Sequence, residues 1–220
     1  MKLIDITIDL ETCSTTPNAA IMQLAAVAWD RNHDNSATLL DGVPQMNVGV
    51  DLRTAVMDGF DFDPSICRFW HGNKQQVKDV VLNLEAHSVK DVIEGFIQWI
   101  GEVRLTFGAD AVCLWAQGSD FDIAIVRNAL AKYGLRLPMS QKFLRDARSI
   151  CLEIGAHLLR KEDIEPDDAL CDMKTYEDSI YDILTSSHEA PAVLNEGYAH
   201  DALYDACRTA FFTWCALRTL

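Results

Sequence analysis

Asp9 and Glu11 close an apolar run, Leu3-Ile4-Asp5-Ile6-Thr7-Ile8-Asp9-Leu10-Glu11-Thr12, in which Ile4, Ile6 and Ile8 alternate with polar residues. Period-two alternation marks a strand, and residues two apart on a strand point to one face, roughly 6.6 Å apart along the axis. Two carboxylates at that spacing can converge on one divalent cation or bridge two, because hard cations such as Mg²⁺ take oxygen ligands. On its own the pair is weak, since a solvated strand end in an acidic protein looks the same.

Two further clusters bear on it. The apolar run Ala111–Ala116 leads into Gln117-Gly118-Ser119-Asp120-Phe121-Asp122. Aspartate at a strand-to-helix junction serves as an N-cap or a dipole partner, so one of Asp120 and Asp122 is expected to cap and the other is free to ligate. Near the C-terminus stand His200, Asp201 and Asp205. Residues five apart on a helix differ in direction by about 140°, so His200 and Asp205 share a face only if His200 sits in the preceding turn. Asp205 lies between Leu203 and Ala206 near an apolar stripe, where a carboxylate needs a partner.

The elements that must position these groups follow from the pattern. Residues 3–10, 19–30 and 46–52 read as strands, the first two separated from the third by turn-rich sequence. Pro64–Gly72 reads as a short helix with proline near its start. Ser88 is placed to cap a longer helix with the stripe Val89, Val92, Ile93, Phe96, Ile97 and Ile100. Ala111–Ala116 reads as a central strand covered on both faces, and Asp120–Tyr133 as a helix stopped by Gly134. From about 136 to 199 the pattern is poorly legible, and Arg160–Asp182 carries nine acids against three bases, as in a solvated excursion with room for some helix. Ala199 to Leu220 reads as a helix with Leu203, Ala206, Cys207, Ala210, Trp214 and Leu217 inward. The order β-β-β-α-β-α-(acidic region)-α implies an α/β fold, a mixed sheet flanked by helices, and residues 1–220 are expected to form a single domain.

Bulk composition narrows the classes. Lys plus Arg number 19 and Asp plus Glu 33, a net charge of -14, which argues against a large basic groove for duplex nucleic acid. An enzyme that grips only a strand end needs few phosphate contacts of its own. No apolar run approaches the ~18 residues of a membrane span, and the N-terminus lacks a signal-peptide pattern. Cys13, Cys67, Cys113, Cys151, Cys171, Cys207 and Cys215 never fall at C-x-x-C spacing, so buried, reduced thiols and a cytoplasmic location are expected.

Taken together, DLET, GSDFD and HDALYDA resemble the motifs of the DEDDh 3′–5′ exonucleases, the DnaQ-like superfamily with a ribonuclease H-like fold. The first motif, D-x-E-T, is matched by Asp9, Glu11 and Thr12. The second, H-N-A-x-F-D, is matched at Phe121 and Asp122, which makes Asp122 the ligand and Asp120 the cap. The third, H-x-A-x-x-D, is matched by His200, Ala202 and Asp205. RFWHGN (68–73) and LRDARSI (144–150) resemble segments of a phage and bacterial exoribonuclease-like branch. Gln117-Gly118 stands where His-Asn is usual and Phe69 where that branch has a tryptophan; these departures bear on substrate contact, not on the ligands.

The resemblance implies that Asp9, Glu11, Asp122 and Asp205 hold two Mg²⁺ or Mn²⁺ ions, with His200 as general base on the attacking water. It implies a single-stranded DNA or RNA 3′ end as substrate and nucleoside 5′-monophosphates as products. The Leu10 backbone and the Thr12 side chain are expected to touch the terminal nucleotide. Trp70 and Phe69 either pack in the core, the preferred reading, or stack on a base. Arg145 and Arg148 either hold phosphate or, as preferred, pair with Asp146 and the acidic region. The apolar final helix is compatible with a homodimer. A non-catalytic nucleic-acid or protein-binding module on this fold would be expected to lack one of the five site positions, and all five are filled.

Overall fold

Strand β1 (Leu3–Thr12) is the axis of the molecule. Ile4, Ile6, Ile8 and Leu10 lie in one core and Asp5, Thr7, Asp9 and Glu11 face the other way. The computed structural model describes residues 1–73, 75, 78, 81, 84–161, 173–195 and 197–220, with the backbone alone for 173–176. β1 is flanked on one side by β2 (Ile21–Trp29), then β3 (Gln45–Val50) and β4 (Ala86–His87). On its other side lie β5 (Ala111–Ala116) and β6 (Leu144–Asp146), giving the order β4-β3-β2-β1-β5-β6. The β1–β2 and β2–β3 pairs are antiparallel; β1–β5, β5–β6 and β3–β4 are parallel. This is the mixed, helix-flanked α/β sheet that the element order implies.

The helices form two layers. α1 (Leu52–Met57), α2 (Pro64–Gly72), α3 (Val89–Thr106) and α4 (Asp122–Lys132) belong to the side of Ile4, Ile6 and Ile8. α3 follows its apolar stripe: Ser88 accepts the Asp91 N–H as N-cap, and Val92, Ile93, Phe96 and Ile100 are buried. Each large apolar side chain so buried contributes roughly 1.5–3 kcal/mol. The opposite layer is built by α5 (Ala147–Lys161), α6 (Met173–Thr185) and α7 (Ala202–Thr219), against Val27, Trp29, Cys113 and Trp115. α7 lies directly on β1 and β2, with Ala206, Ala210 and Trp214 inward as its periodicity predicts.

Several elements depart from the expected order. α1, β4, β6 and α5 were not foreseen, and α6 falls in the acidic stretch where some helix was left open; the stretch from 136 to 199 is not merely a solvated excursion, since Cys151, Ile154, Leu159, Ile180 and Leu184 are buried in it. Residues 162–172 of the acidic run, Cys171 among them, lie outside the described residues. Cys13, Cys113, Cys151, Cys207 and Cys215 are buried and free, and burial pushes the Cys13, Cys151, Cys207 and Cys215 thiols up to about 12; Cys67, against expectation, is exposed. Among the described residues no helix is long and apolar enough to cross a membrane.

Candidate active site

The site begins where β1 and β5 part. Their ladder runs from Leu3↔Ala111 to Thr7↔Trp115, while β1 continues to Thr12, so Asp9 and Glu11 stand beyond the pairing with β5. The chain leaving β5 turns through Gly118, whose φ of +102° suits a residue without a Cβ. Asp146 of β6 fastens this turn by accepting the Ser119 N–H at 2.6 Å. The turn delivers Asp122 to β1, where its carboxylate accepts the Leu10 N–H at 3.1 Å. Asp120 does not cap α4: the N-cap is Phe121, without a side-chain bond, and its N–H bonds to Gly118 O instead.

α7 brings the third group. Asp201 caps it, accepting the Leu203 N–H, and also accepts Gln23 Nε2 at 2.8 Å. Gln23 Oε1 accepts the Ala202 N–H at 3.2 Å. Because Gln23 lies opposite Glu11 in the β1–β2 ladder, this clasp sets the start of α7 beside Glu11. His200 sits outside the helix with φ +68°, a left-handed conformation that costs a non-glycine residue roughly 1 kcal/mol or more. Its N–H donates to Asp205 Oδ2 at 2.7 Å, which holds the turn. The face conflict raised by the five-residue spacing is thereby removed. Glu11, His200 and Asp205 each offer a ligating atom within 4.8 Å of the others.

Burial and mutual repulsion together disfavour the charged forms of this cluster. Burial, then Asp122, Asp205 and Glu11, raise the Asp9 carboxyl well above its ordinary value; Arg208 opposes them. Glu11 is pushed up to about 8 by burial and then by Asp205, Asp201 and Asp122. Asp122 is pushed up to about 7 by burial, against the Leu10 N–H, its own N–H and Arg148. Asp205 is raised by burial, against Arg208 and His200. Asp205 Oδ1 and Arg208 Nε are buried without a hydrogen-bond partner, and the Arg208 Nη2 to Asp205 Oδ1 distance is 3.6 Å.

Aromatic side chains flank the mouth. Trp70 Nε1 donates to Thr12 O at 2.9 Å, and Trp70 packs against the core. Phe69 stands 46% exposed with its ring 5.3 Å from that of His200, so the expected core role holds for Trp70 and fails for Phe69. Leu10 and Thr12 have their donors committed internally, to Asp122 and to Ser14 O respectively. Asp146 is taken by Ser119 and Ser149 N–H groups, and Arg145 donates to the Lys142 and Leu144 carbonyls. The expected Asp146 pairing of Arg145 and Arg148 therefore does not form.

Gln23 and Arg208 were missed by the sequence reading, and Asp201 was named there without its capping role. Signals existed: a lone polar residue in the apolar run IMQLAAVAW, an aspartate just before an apolar helix, and an arginine three residues after Asp205.

Among curated proteins none matches this sequence. Solved structures are similar in fold at low identity. Cell-death related nuclease 4 (CRN-4) aligns with TM-score 0.52 and 16% identity over 96% of this chain and 62% of its own. E. coli exonuclease I, in a zinc-bound complex with single-stranded DNA, aligns with TM-score 0.52 and 15% identity over 95% of this chain and 39% of its own. Exonuclease I from Methylocaldum szegediense gives 0.52 and 16% over 94% and 39%. This chain thus spans less than two thirds of each. The family described as "3′-5′ exoribonuclease Rv2179c-like domain" matches residues 4–214, nearly the whole sequence, and the chain belongs to that family.

Proposed function

We propose that residues 1–220 act as one 3′–5′ exonuclease domain that hydrolyses the terminal phosphodiester of single-stranded nucleic acid and releases nucleoside 5′-monophosphates. RNA is the favoured substrate, following the family's description. The observation that carries the reading is geometric: Asp122 accepts the Leu10 N–H between Asp9 and Glu11 on β1, and Asp205 converges with Glu11 and His200 within 4.8 Å, four carboxylates forming one buried to half-buried cage.

Divalent cations fit this place. The donors are hard oxygens, Asp205 Oδ1 is buried without a hydrogen bond, and Glu11, His200 and Asp205 already converge. Asp9, Glu11, Asp122 and Asp205 would hold two Mg²⁺ or Mn²⁺ ions. Such ions, when bound, supply Lewis-acid stabilisation of the phosphate and of the leaving oxygen. The imidazole of His200 takes the proton from the attacking water. That water's oxygen bonds to phosphorus as the bond to the penultimate 3′ oxygen breaks, so the phosphate leaves with the terminal nucleoside. Phe69 offers a face to the terminal base, and Trp70, anchored on Thr12 O, backs it.

A second reading of His200 is favoured by its place in the Glu11–His200–Asp205 triangle, where it could ligate instead. The two separate on His200→Gln. A base role predicts roughly a 10²- to 10⁴-fold loss of kcat with metal-induced thermal stabilisation intact; a ligand role removes that stabilisation too. The function itself is tested by incubating matched single-stranded RNA and DNA, 3′-labelled, with Mn²⁺. Labelled mononucleotide should appear first, faster from RNA. Internal cuts, or no release from either, would overturn the proposal.

A further inference from the structure

The acid surplus of this chain is unevenly spread. Between Ile123 and Arg145 there is no aspartate or glutamate, while Arg127, Lys132, Arg136, Lys142 and Arg145 all fall there. Acids at their overall frequency, 33 in 220, would place three or so in that stretch. It covers α4, the loop beyond it and β6, which is the open edge of the sheet. Lys132 is occupied by the Asp58 and Gly59 carbonyls and the Phe60 ring. Arg127, Arg136, Lys142 and Arg145 are exposed and, among the described residues, enter no ion pair.

The surface here is grooved. Met139 and Ser140 separate a groove of about 440 Å³, bounded by Arg127 and Arg136, from one of about 560 Å³, bounded by Arg104 and Lys142. Asp110, on the rim of the second, is engaged by the Lys2 N–H. The strip also leads back to the cage. α4 carries Arg127 and begins at Asp122, about 7.5 Å away along the helix axis. Arg148, the next cation after Arg145, lies beside Gly118 in the turn that delivers Asp122: a Cβ placed on Gly118 would be 3.8 Å from its Nη1.

Guarding an open strand edge is one ordinary use of exposed charge, lysine above all, but Arg127 lies on α4 and Arg136 in the loop beyond it, not on the β6 edge. In a chain with a surplus of acids, a one-sign strip wants an anionic partner. We propose that this strip, through Arg127, Arg136 and Lys142, binds the sugar-phosphate backbone of single-stranded nucleic acid upstream of the 3′ end held at the cage. The direction of the strand rests on the exonuclease reading; the binding does not. Net charge of -14 excludes a broad basic face, and a narrow strip beside an acidic cage meets that limit.

The test measures fluorescence anisotropy of a 5′-fluorescein oligoadenylate, as RNA and as DNA, in EDTA over a salt series. Single-strand binding loses about 0.7 log units of affinity per log unit of salt for each phosphate contact, so the triple change Arg127→Gln/Arg136→Gln/Lys142→Gln should flatten the slope by about 2. Affinity at low salt should fall roughly ten- to a hundredfold. The corresponding triple lysine/arginine exchange, which keeps the charges, should restore most of both, and equal melting temperatures exclude misfolding. An unchanged slope, or a wild-type protein that holds the oligoadenylate no better than a dinucleotide, overturns the strip. Hydrolysis is read separately with Mn²⁺: absent mononucleotide release by the wild type sinks the exonuclease reading while leaving the anisotropy result to stand or fall alone.

Discussion

One face of β1 buries carboxylates at both ends, and the two ends are treated differently. Asp5, fully buried, receives Arg31 Nε at 2.8 Å, Arg31 Nη2 at 2.6 Å and Trp115 Nε1 at 2.6 Å. Thr7, next on that face, accepts Trp29 Nε1. Burial still raises Asp5, but Arg31 and Trp115 pull against it. At the far end, Asp9 and Glu11 meet Asp122 and Asp205, and carboxylates add to the effect of burial instead of opposing it. A buried carboxylate left unpaired neutralises itself or finds a cation. The Asp5 end carries its cation within the chain. On the proposed function the Asp9 end takes one from solution, and the contrast in partners sets the Asp5 carboxylate apart as structural.

The largest expected effects test this division directly. Asp9→Asn and Asp205→Asn should each lower nuclease turnover by about a thousandfold or more, ~4 kcal/mol in barrier, while metal-free stability is unchanged or raised because repulsion is relieved. Turnover of mononucleotide release and melting in EDTA measure the two. Asp5→Asn should do the reverse. It leaves Arg31 without its partner and should cost about 2–4 kcal/mol of stability, with metal-induced stabilisation retained. A stable Asp5→Asn protein beside an unstable Asp9→Asn protein would break the comparison.

How far the sequence shows this division depends on the scale of each signal. Helix α2 at Pro64–Gly72, strand β5 at Ala111–Ala116 and the Ser88 cap are found where proline, a continuous apolar run and a capping serine point. β4 and β6 have two and three residues, too short to carry a period. α6 lies where acids crowd the apolar stripe, whereas α5, with Glu153 as its one acid, carries a helical stripe at Ala147, Cys151, Ile154 and Leu159 that the sequence reading passed over. The five candidate site positions stand out through their motifs, yet the features that assemble them do not. A histidine at φ +68° has no signature of its own, and the Gln23–Asp201 clasp joins residues 178 apart in sequence. Nor does alternation along β1 tell that the face of Asp5 is covered by helices, since an identical pattern arises when that face meets water.

On the proposed function, Mn²⁺ should move the Asp9 end toward the condition of the Asp5 end. Mn²⁺ at about 100 times its dissociation constant should stabilise the wild type by roughly 2.7 kcal/mol, seen as a rise in melting temperature that EDTA reverses. Asp205→Asn should lose that rise and Asp5→Asn keep it. Acidity offers a gentler version. With a raised carboxyl, the native state keeps its proton where the unfolded chain has released it, so native stability falls as pH rises through that range. For Glu11 the window runs from about 4.5 to about 8. In EDTA the melting temperature should therefore decline across it, and the metal-induced rise should grow over the same interval as the ligands ionise. Melting that improves steadily from pH 5 to 8 without metal would contradict the raised values.

The two arginines sharpen the comparison at its finest grain. Arg31 meets Asp5 in a two-pronged hydrogen-bonded pair, while Arg208 stops 3.6 Å from Asp205, beyond hydrogen-bond reach, with its Nε buried and unpartnered. Its guanidinium lies 5.9 Å from the centre of the Phe212 ring, and Phe212 stacks on Tyr181, so Arg208 is held beside the cage without closing it. A cation so placed lowers the mutual repulsion of Asp9 and Asp205 and leaves Asp205 Oδ1 without a hydrogen bond. Arg208→Gln should accordingly change metal-free stability by no more than about 1 kcal/mol, against several for Arg31→Gln. It should also lower the Mn²⁺ concentration at half-stabilisation, because the arriving ion no longer meets a resident positive charge. Were Arg208→Gln as destabilising as Arg31→Gln, the pair at the Asp9 end would be structural as well, and the distinction between the two ends of β1 would have to rest on geometry other than their arginines.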